Sequence, residues 1–91
     1  MMGVVGTALG YQHLAPTTAT GLTLPAGVHV SQILIIISVA PVTYRDDGVA
    51  PTTAAGGGMP LPVGTILPYA SNLKNLQFIS ATGLVDIAFY G

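Results

Sequence analysis

Apolar and polar side chains alternate along the stretch VDIAFY, residues 85–90. Val85, Ile87 and Phe89 would lie on one face of an extended chain. Asp86 and Ala88 would lie on the other. This alternation is typical of a β-strand that buries one face and exposes the other to solvent. The stretch therefore predicts a half-buried strand.

The run ILIIIS, residues 33–38, is apolar on both faces. Ile33, Ile35 and Ile37 would point one way, and Leu34 and Ile36 the other. In a small two-layered protein only one side of each sheet is buried in the core. The second side of this strand therefore needs a cover, because burying an Ile or Leu side chain is worth roughly 1.5–3 kcal/mol. That cover is either the N-terminal segment folded back over the sheet or a neighbouring subunit.

Gly, Pro and Thr interrupt every window long enough to show a helical period, which favours an all-β protein. The strings APTTATGLTLPAG (residues 15–27) and APTTAAGGGMPLPVG (residues 50–64) are alike, and each precedes a strand ending in Ile-Ser and then a second strand with an aromatic residue. Each half would form a hairpin, and an isolated hairpin is only marginally stable in water.

Two similar halves that close over each other predict a small antiparallel β-sandwich, jelly-roll-like, or a partly closed barrel. We expect a single domain in which residues 1–25 form an extended N-terminal arm and the first edge strand. Residues 26–91 would form the β-sandwich core.

The composition limits the classes of partner. Only 5% of the 91 residues are charged and the net charge is −1, against about 25% charged residues in an average domain. Two Lys/Arg residues cannot neutralise a phosphate backbone, so we expect no nucleic-acid binding. The longest apolar stretch, residues 33–42, has about half the length that spans a bilayer and contains a Pro, so no membrane span is expected. Low charge weakens repulsion between copies and favours a homo-oligomer.

Three of the five charged residues lie side by side at Arg45, Asp46 and Asp47. The following Gly48 makes a strong turn signal, because Asp accepts bonds from nearby backbone N–H groups and Gly tolerates positive φ. A turn with Arg45 solvated or paired to one Asp is the favoured interpretation. The alternative is an acid/base couple or a metal site, which the opposite faces of adjacent strand residues argue against.

No other pattern predicts chemistry. His13 and His29 have no carboxylate or second His at ligand spacing, the three glycines before Met59 lack a Walker lysine, and no serine has the nucleophile-elbow setting. We therefore predict no catalytic residue, no metal, no cofactor and no small-molecule substrate. The aromatics that could line a sugar-binding surface are Tyr44, Tyr69, Phe78, Phe89 and Tyr90, although most of them suit a core or a subunit contact better. A glycan-binding role would need exposed aromatics such as Tyr11 and Tyr69.

The string VTYRDDGVAPTTAAGGGMPLPVGTIL, with a following Leu-x-Phe-Ile strand and the closing VDIAFYG, resembles small proteins encoded among the structural genes of tailed bacteriophages. The matching positions are residues 44–48, 51–52, 58–64, 76–79 and 85–90, and the earlier GLTLPAG also matches. The resemblance covers most of the chain from Gly21 onward. Its motifs are structural, with no catalytic signature.

The resemblance implies a non-enzymatic virion protein, and the favoured interpretation is a capsid decoration (cement) protein that bridges the major capsid protein or other virion subunits. The alternative is a tail or fibre component with a receptor- or glycan-binding role. We expect residues 1–25 and the loop 56–60 to contact these larger subunits. The apolar side chains predicted to touch partners are Tyr11, Leu22, Leu24, Leu34, Ile36 and Met59.

Overall fold

The computed structural model describes residues 8–54 and 56–91. It contains eight strands and one short 3-10 helix, Leu73–Asn75. The strands are β1 Ala8–Leu14, β2 Thr20–Gly21, β3 Gln32–Ser38, β4 Val42–Arg45, β5 Met59–Leu61, β6 Ile66–Tyr69, β7 Gln77–Ile79 and β8 Leu84–Tyr90. The all-β prediction is confirmed.

The strands form two antiparallel four-stranded sheets. Sheet A has the order β1-β8-β3-β6 and sheet B the order β2-β7-β4-β5. The chain crosses from one sheet to the other at every connection except that between β4 and β5, which are neighbours in sheet B. This path is that of a jelly roll. The sheets are not closed into a barrel, so of the two predicted architectures the sandwich is the one observed.

The prediction that each half forms a hairpin is wrong. β3 does not pair with β4 but with β8, where Ile35 lies opposite Ile87. β4 pairs with β7, where Tyr44 lies opposite Phe78. The link after β3 contains Val39 with φ 73 and then Pro41, and it carries the chain to the other sheet instead of reversing it within one.

The two halves are nevertheless related in topology. Replacing β1, β2, β3 and β4 by β5, β6, β7 and β8, and the reverse, turns the order of sheet A into that of sheet B. The similar Ile-Ser strands β3 and β7 are therefore equivalent. The two APTTA strings are not, because residues 15–19 precede β2 whereas residues 50–54 precede β5. That part of the sequence similarity has no counterpart in the arrangement of strands.

The core lies between the sheets, where the alternation of side chains aims one face of every long strand inward. Sheet A contributes the predicted inner rows of β3 and β8, and sheet B faces them with Phe78 and Val42. The buried apolar residues are Leu14, Val30, Ile33, Ile35, Ile37, Val42, Leu61, Leu76, Phe78, Val85, Ile87 and Phe89.

The predicted N-terminal arm contributes to both sheets. From Ala8 onward, residues 8–14 form the edge strand of sheet A and residues 20–21 form the edge strand of sheet B. The intervening Pro16 is fully buried, and its carbonyl accepts a bond from the Ser80 N–H at 2.8 Å. Residues 1–7 lie outside the described part of the chain.

The crossover before β8 depends on a glycine. A Cβ on Gly83 would lie 2.6 Å from the Ala40 carbonyl oxygen and 2.7 Å from a methyl of Val42. The Gly83 N–H also donates to Ser80 Oγ at 2.8 Å, and that hydroxyl donates to the Pro41 carbonyl at 2.7 Å. The two crossover links are thereby joined.

We expect Gly83→Ala to lower the free energy of unfolding by about 1–3 kcal/mol, because the added methyl group must displace backbone. Denaturant unfolding would measure this. Gly21→Ala is the matched control, since its Cβ would meet its nearest neighbour at 3.5 Å, an ordinary contact. Equal stability of the two variants would contradict the role given to Gly83.

Candidate functional site

The two outer faces of the sandwich differ in polarity. Sheet B presents polar side chains outward at the centre of its face, including Thr43, Arg45 and Gln77. Sheet A presents mainly apolar side chains. We call this surface the apolar outer face, and it consists of Tyr11, Leu34, Ile36, Ile66, Pro68, Ala88 and Tyr90.

A shallow groove of about 490 Å³ runs along this face. Its floor is narrow because Ala88, a small residue on the central strand β8, lies between Tyr11 on β1 and Leu34 on β3. Tyr90 and Ile36 line the groove further along. Large side chains on both sides of a small one therefore make a concave apolar surface.

One polar pair interrupts the apolar outer face. His13 on β1 lies directly opposite Asp86 on β8, and their side chains form a hydrogen bond between His13 Nδ1 and Asp86 Oδ1. Both side chains are at least half exposed. The pair lies next to Ile36, which faces Asp86 from the other side, so the apolar outer face carries one polar pair on its strands β1 and β8.

Three of the six predicted contact residues come together in this groove. Tyr11 is 78% exposed, Ile36 is 37% exposed, and Leu34 is half-buried. No described segment lies over them. Of the two predicted covers, the N-terminal segment from Ala8 to Leu14 lies beside β8 in the plane of the sheet and does not cover Leu34 or Ile36. Residues 1–7 are outside the described part.

The other three predicted contacts lie elsewhere. Leu22 is half-buried and packs against the core. Leu24 lies in a separate hollow at one end of the sandwich, with His29 and Lys74. Met59, 62% exposed, lies on the edge strand β5 of the other sheet. Ile66, which no pattern in the sequence singled out, is 56% exposed and lies opposite Ile36 on the apolar outer face.

The charged stretch forms a turn, as favoured. Arg45 donates to Asp47 through both Nε, at 3.0 Å, and Nη2, at 2.5 Å. Asp47 Oδ1 also accepts the Val49 N–H at 3.2 Å, and Gly48 has φ 85. The hydrogen bonds from Arg45 and then from Val49 lower the pKa of Asp47 from 3.8 to about 2.

The adjacent carboxylate is held separately. Asp46 accepts a hydrogen bond from the Tyr69 hydroxyl, and its backbone carbonyl accepts from the Asn72 side chain at 2.7 Å. The Tyr69 ring packs edge-on against Tyr44, with ring centroids 6.5 Å apart. Burial, followed by the bond to Asp46, raises the pKa of Tyr69. The two carboxylates thus have different partners. Asp47 closes its own turn, and Asp46 ties that turn to β6 and the segment after it.

The pairing of Arg45 with Asp47 predicts a pH dependence. Because the pKa of Asp47 is lower in the folded protein, its contribution to stability is complete above about pH 3.8 and is lost as the pH falls towards 2. Denaturant unfolding of wild type and Asp47→Asn from neutral to acid pH should show a stability difference that closes over this interval. A difference as large at pH 2 as at neutral pH would contradict the pairing.

Among the described residues no cluster of three or more His, Cys, Asp or Glu side chains could hold a metal ion. In the same part of the chain there is no helix that is long and apolar enough to cross a membrane.

Comparison of the chain with models of protein families, with curated proteins and with solved structures found no match in any of the three. The fold and the apolar outer face are therefore the observations from which a function has to be argued. The resemblance to phage virion proteins stays a prediction.

Proposed function

We propose that the protein is a non-enzymatic structural subunit of a tailed-phage virion, a capsid decoration protein that binds larger virion subunits through its apolar outer face. The observation that supports this most strongly is the difference between the two outer faces. One sheet exposes Tyr11, Ile36 and Ile66 on the same side, while the other presents Thr43, Arg45 and Gln77 beside the half-buried Ile79. Exposed apolar patches on small proteins commonly mark interaction sites.

Burial of this face would supply the binding energy. Removing apolar surface from water is worth roughly 25 cal/mol per Å². The exposed pair of His13 and Asp86 lies within this face, so polar groups of the partner would have to meet it. The low charge of the chain leaves little electrostatic repulsion from a subunit of either sign. Many copies on one particle would add weak contacts into a strong effect.

Heating virions with and without the protein tests the proposed role. We expect particles that carry it to rupture at a higher temperature, because each copy holds neighbouring subunits together and must be released first. Release of packaged DNA, followed with an intercalating dye, reports rupture. Equal rupture temperatures in the presence and absence of the protein would contradict a stabilising function.

The alternative function, glycan binding on a tail or fibre, has less support. It requires exposed aromatic rings, and of the two tyrosines proposed for it only Tyr11 is largely exposed. Tyr69 packs on Tyr44 and donates its hydroxyl to Asp46. Loss of adsorption to cells by Tyr11→Ala virions, with unchanged thermal stability of the particle, would favour this alternative.

A further inference from the structure

The four edges of the two sheets differ in their capacity to pair with another strand. β6 contains Pro68 and β5 contains Pro60, and a Pro cannot donate a ladder hydrogen bond. β2 has only two residues. β1 is the exception, with seven residues and no Pro, and in the described part of the chain its outer side has no neighbouring strand.

A connecting segment approaches β1 but lies on its inner side. The Thr23 N–H donates to Gln12 Oε1 at 2.9 Å, and Pro25 is the nearest neighbour of a Cβ built on Gly10. Gly10 and Gln12 alternate with the outward-facing Tyr11 and His13, so these contacts are made towards the core. They lie beneath β1, and among the described residues no backbone hydrogen bond is made to its free edge.

We propose that β1 pairs antiparallel with β1 of a second copy of this chain, which joins two four-stranded sheets into one of eight strands. An edge strand paired with its own copy satisfies the backbone groups of both copies with the same contacts, as a two-fold dimer requires. β1 contains no Lys, Arg, Asp or Glu, so the strand approaches its copy without like-charge repulsion.

The side chains of β1 suit this pairing. The bulge between Ala8 and Gly10 leaves residues 10–14 as the regular stretch, and its centre is Gln12. A two-fold axis at this centre places Tyr11 of each copy opposite His13 of the other on the outer face. The two Tyr11 side chains then lie diagonally, about 7–8 Å apart, within reach of long side chains.

The dimer would also enlarge the docking surface, an argument that rests on the proposed function. The axis is perpendicular to the joined sheet, so both apolar outer faces lie on the same side. One such face measures at most about 19 by 23 Å, roughly 440 Å², from ordinary strand spacing and rise. A stable interface buries about 800 Å² on each partner. Two joined faces reach that area and one does not.

Charge substitution at Tyr11 tests the dimer. The exposed Tyr11 can be replaced without disturbing the core, and we expect Tyr11→Lys and Tyr11→Glu each to weaken self-association by roughly tenfold or more. Sedimentation of the purified protein measures this. A mixture of the two variants should form a mixed dimer, because the opposite charges then lie diagonally across the junction, within reach of each other. Ile66→Lys, on the same face but on the opposite edge, should dimerise like wild type.

Hydrogen exchange supplies a test that needs no variant. Backbone amides on the free edge of β1 should exchange more slowly as the protein concentration rises, whereas those on the free edge of β6 should not change. A wild-type protein that stays monomeric at millimolar concentration would overturn the proposal. So would a dimer that both Tyr11 variants retain unchanged. A dimer that does not bind virions would instead refute the proposed function alone.

Discussion

We expect Phe78→Ala to lower the free energy of unfolding by about 3–5 kcal/mol. Phe78 is fully buried, lies opposite Tyr44 and fills the space between the sheets. A domain of this size has a total stability of roughly 5–14 kcal/mol, so the variant would retain little of it. Thermal unfolding followed by circular dichroism should show a midpoint lowered by roughly 15–30 °C.

Ile79→Ala is the matched control for this change. Ile79 follows Phe78 in β7, so its side chain points to the outer face of sheet B, where it is half-buried. Its truncation should cost less than about 1.5 kcal/mol, because water can fill the space that the side chain leaves. If the two substitutions had equal effects, the assignment of the inner and outer faces of β7 would be wrong.

We expect Ile36→Lys to weaken binding to the virion by roughly a hundredfold. Ile36 lies in the middle of the apolar outer face, and a charge there would have to be desolvated on docking. The free protein should stay folded, because the lysine would lie opposite Asp86 and next to water. Binding to particles assembled without the protein can be measured by co-sedimentation.

Thr43→Lys is the control for binding. Thr43 occupies a central strand like Ile36, but on the outer face of sheet B, which we do not expect to touch the capsid. The affinity of the Thr43→Lys variant for the particles should match that of wild type within about threefold. Loss of binding in the Thr43 variant with retention in the Ile36 variant would show that the opposite face docks.

The inner and outer faces could be read from the sequence because a strand has a period of two. The rows Ile33, Ile35, Ile37 and Val85, Ile87, Phe89 are buried as the alternation predicts. The pairing of the strands could not be read in the same way. Whether a link between two strands reverses the chain or carries it to another sheet depends on backbone geometry such as the positive φ of Val39, and no residue type there predicts it.

Part of the candidate site could be predicted from the sequence for the same reason. Leu34 and Ile36 had to face outward once the other side of β3 was in the core. The pair of His13 and Asp86 was missed because the residues are 73 positions apart, and only the register of β1 on β8 brings them together. Spacing along the chain carries no information about such a contact.

The central claim is that the apolar outer face is buried against a larger virion subunit. Electron cryomicroscopy of the virion in which we propose that the chain resides would test it most directly. We predict density for the sandwich on the particle at a fixed ratio to the capsid subunits, with Leu34, Ile36 and Ile66 facing the shell. Virions without such density, or with sheet A turned towards solvent, would contradict the account.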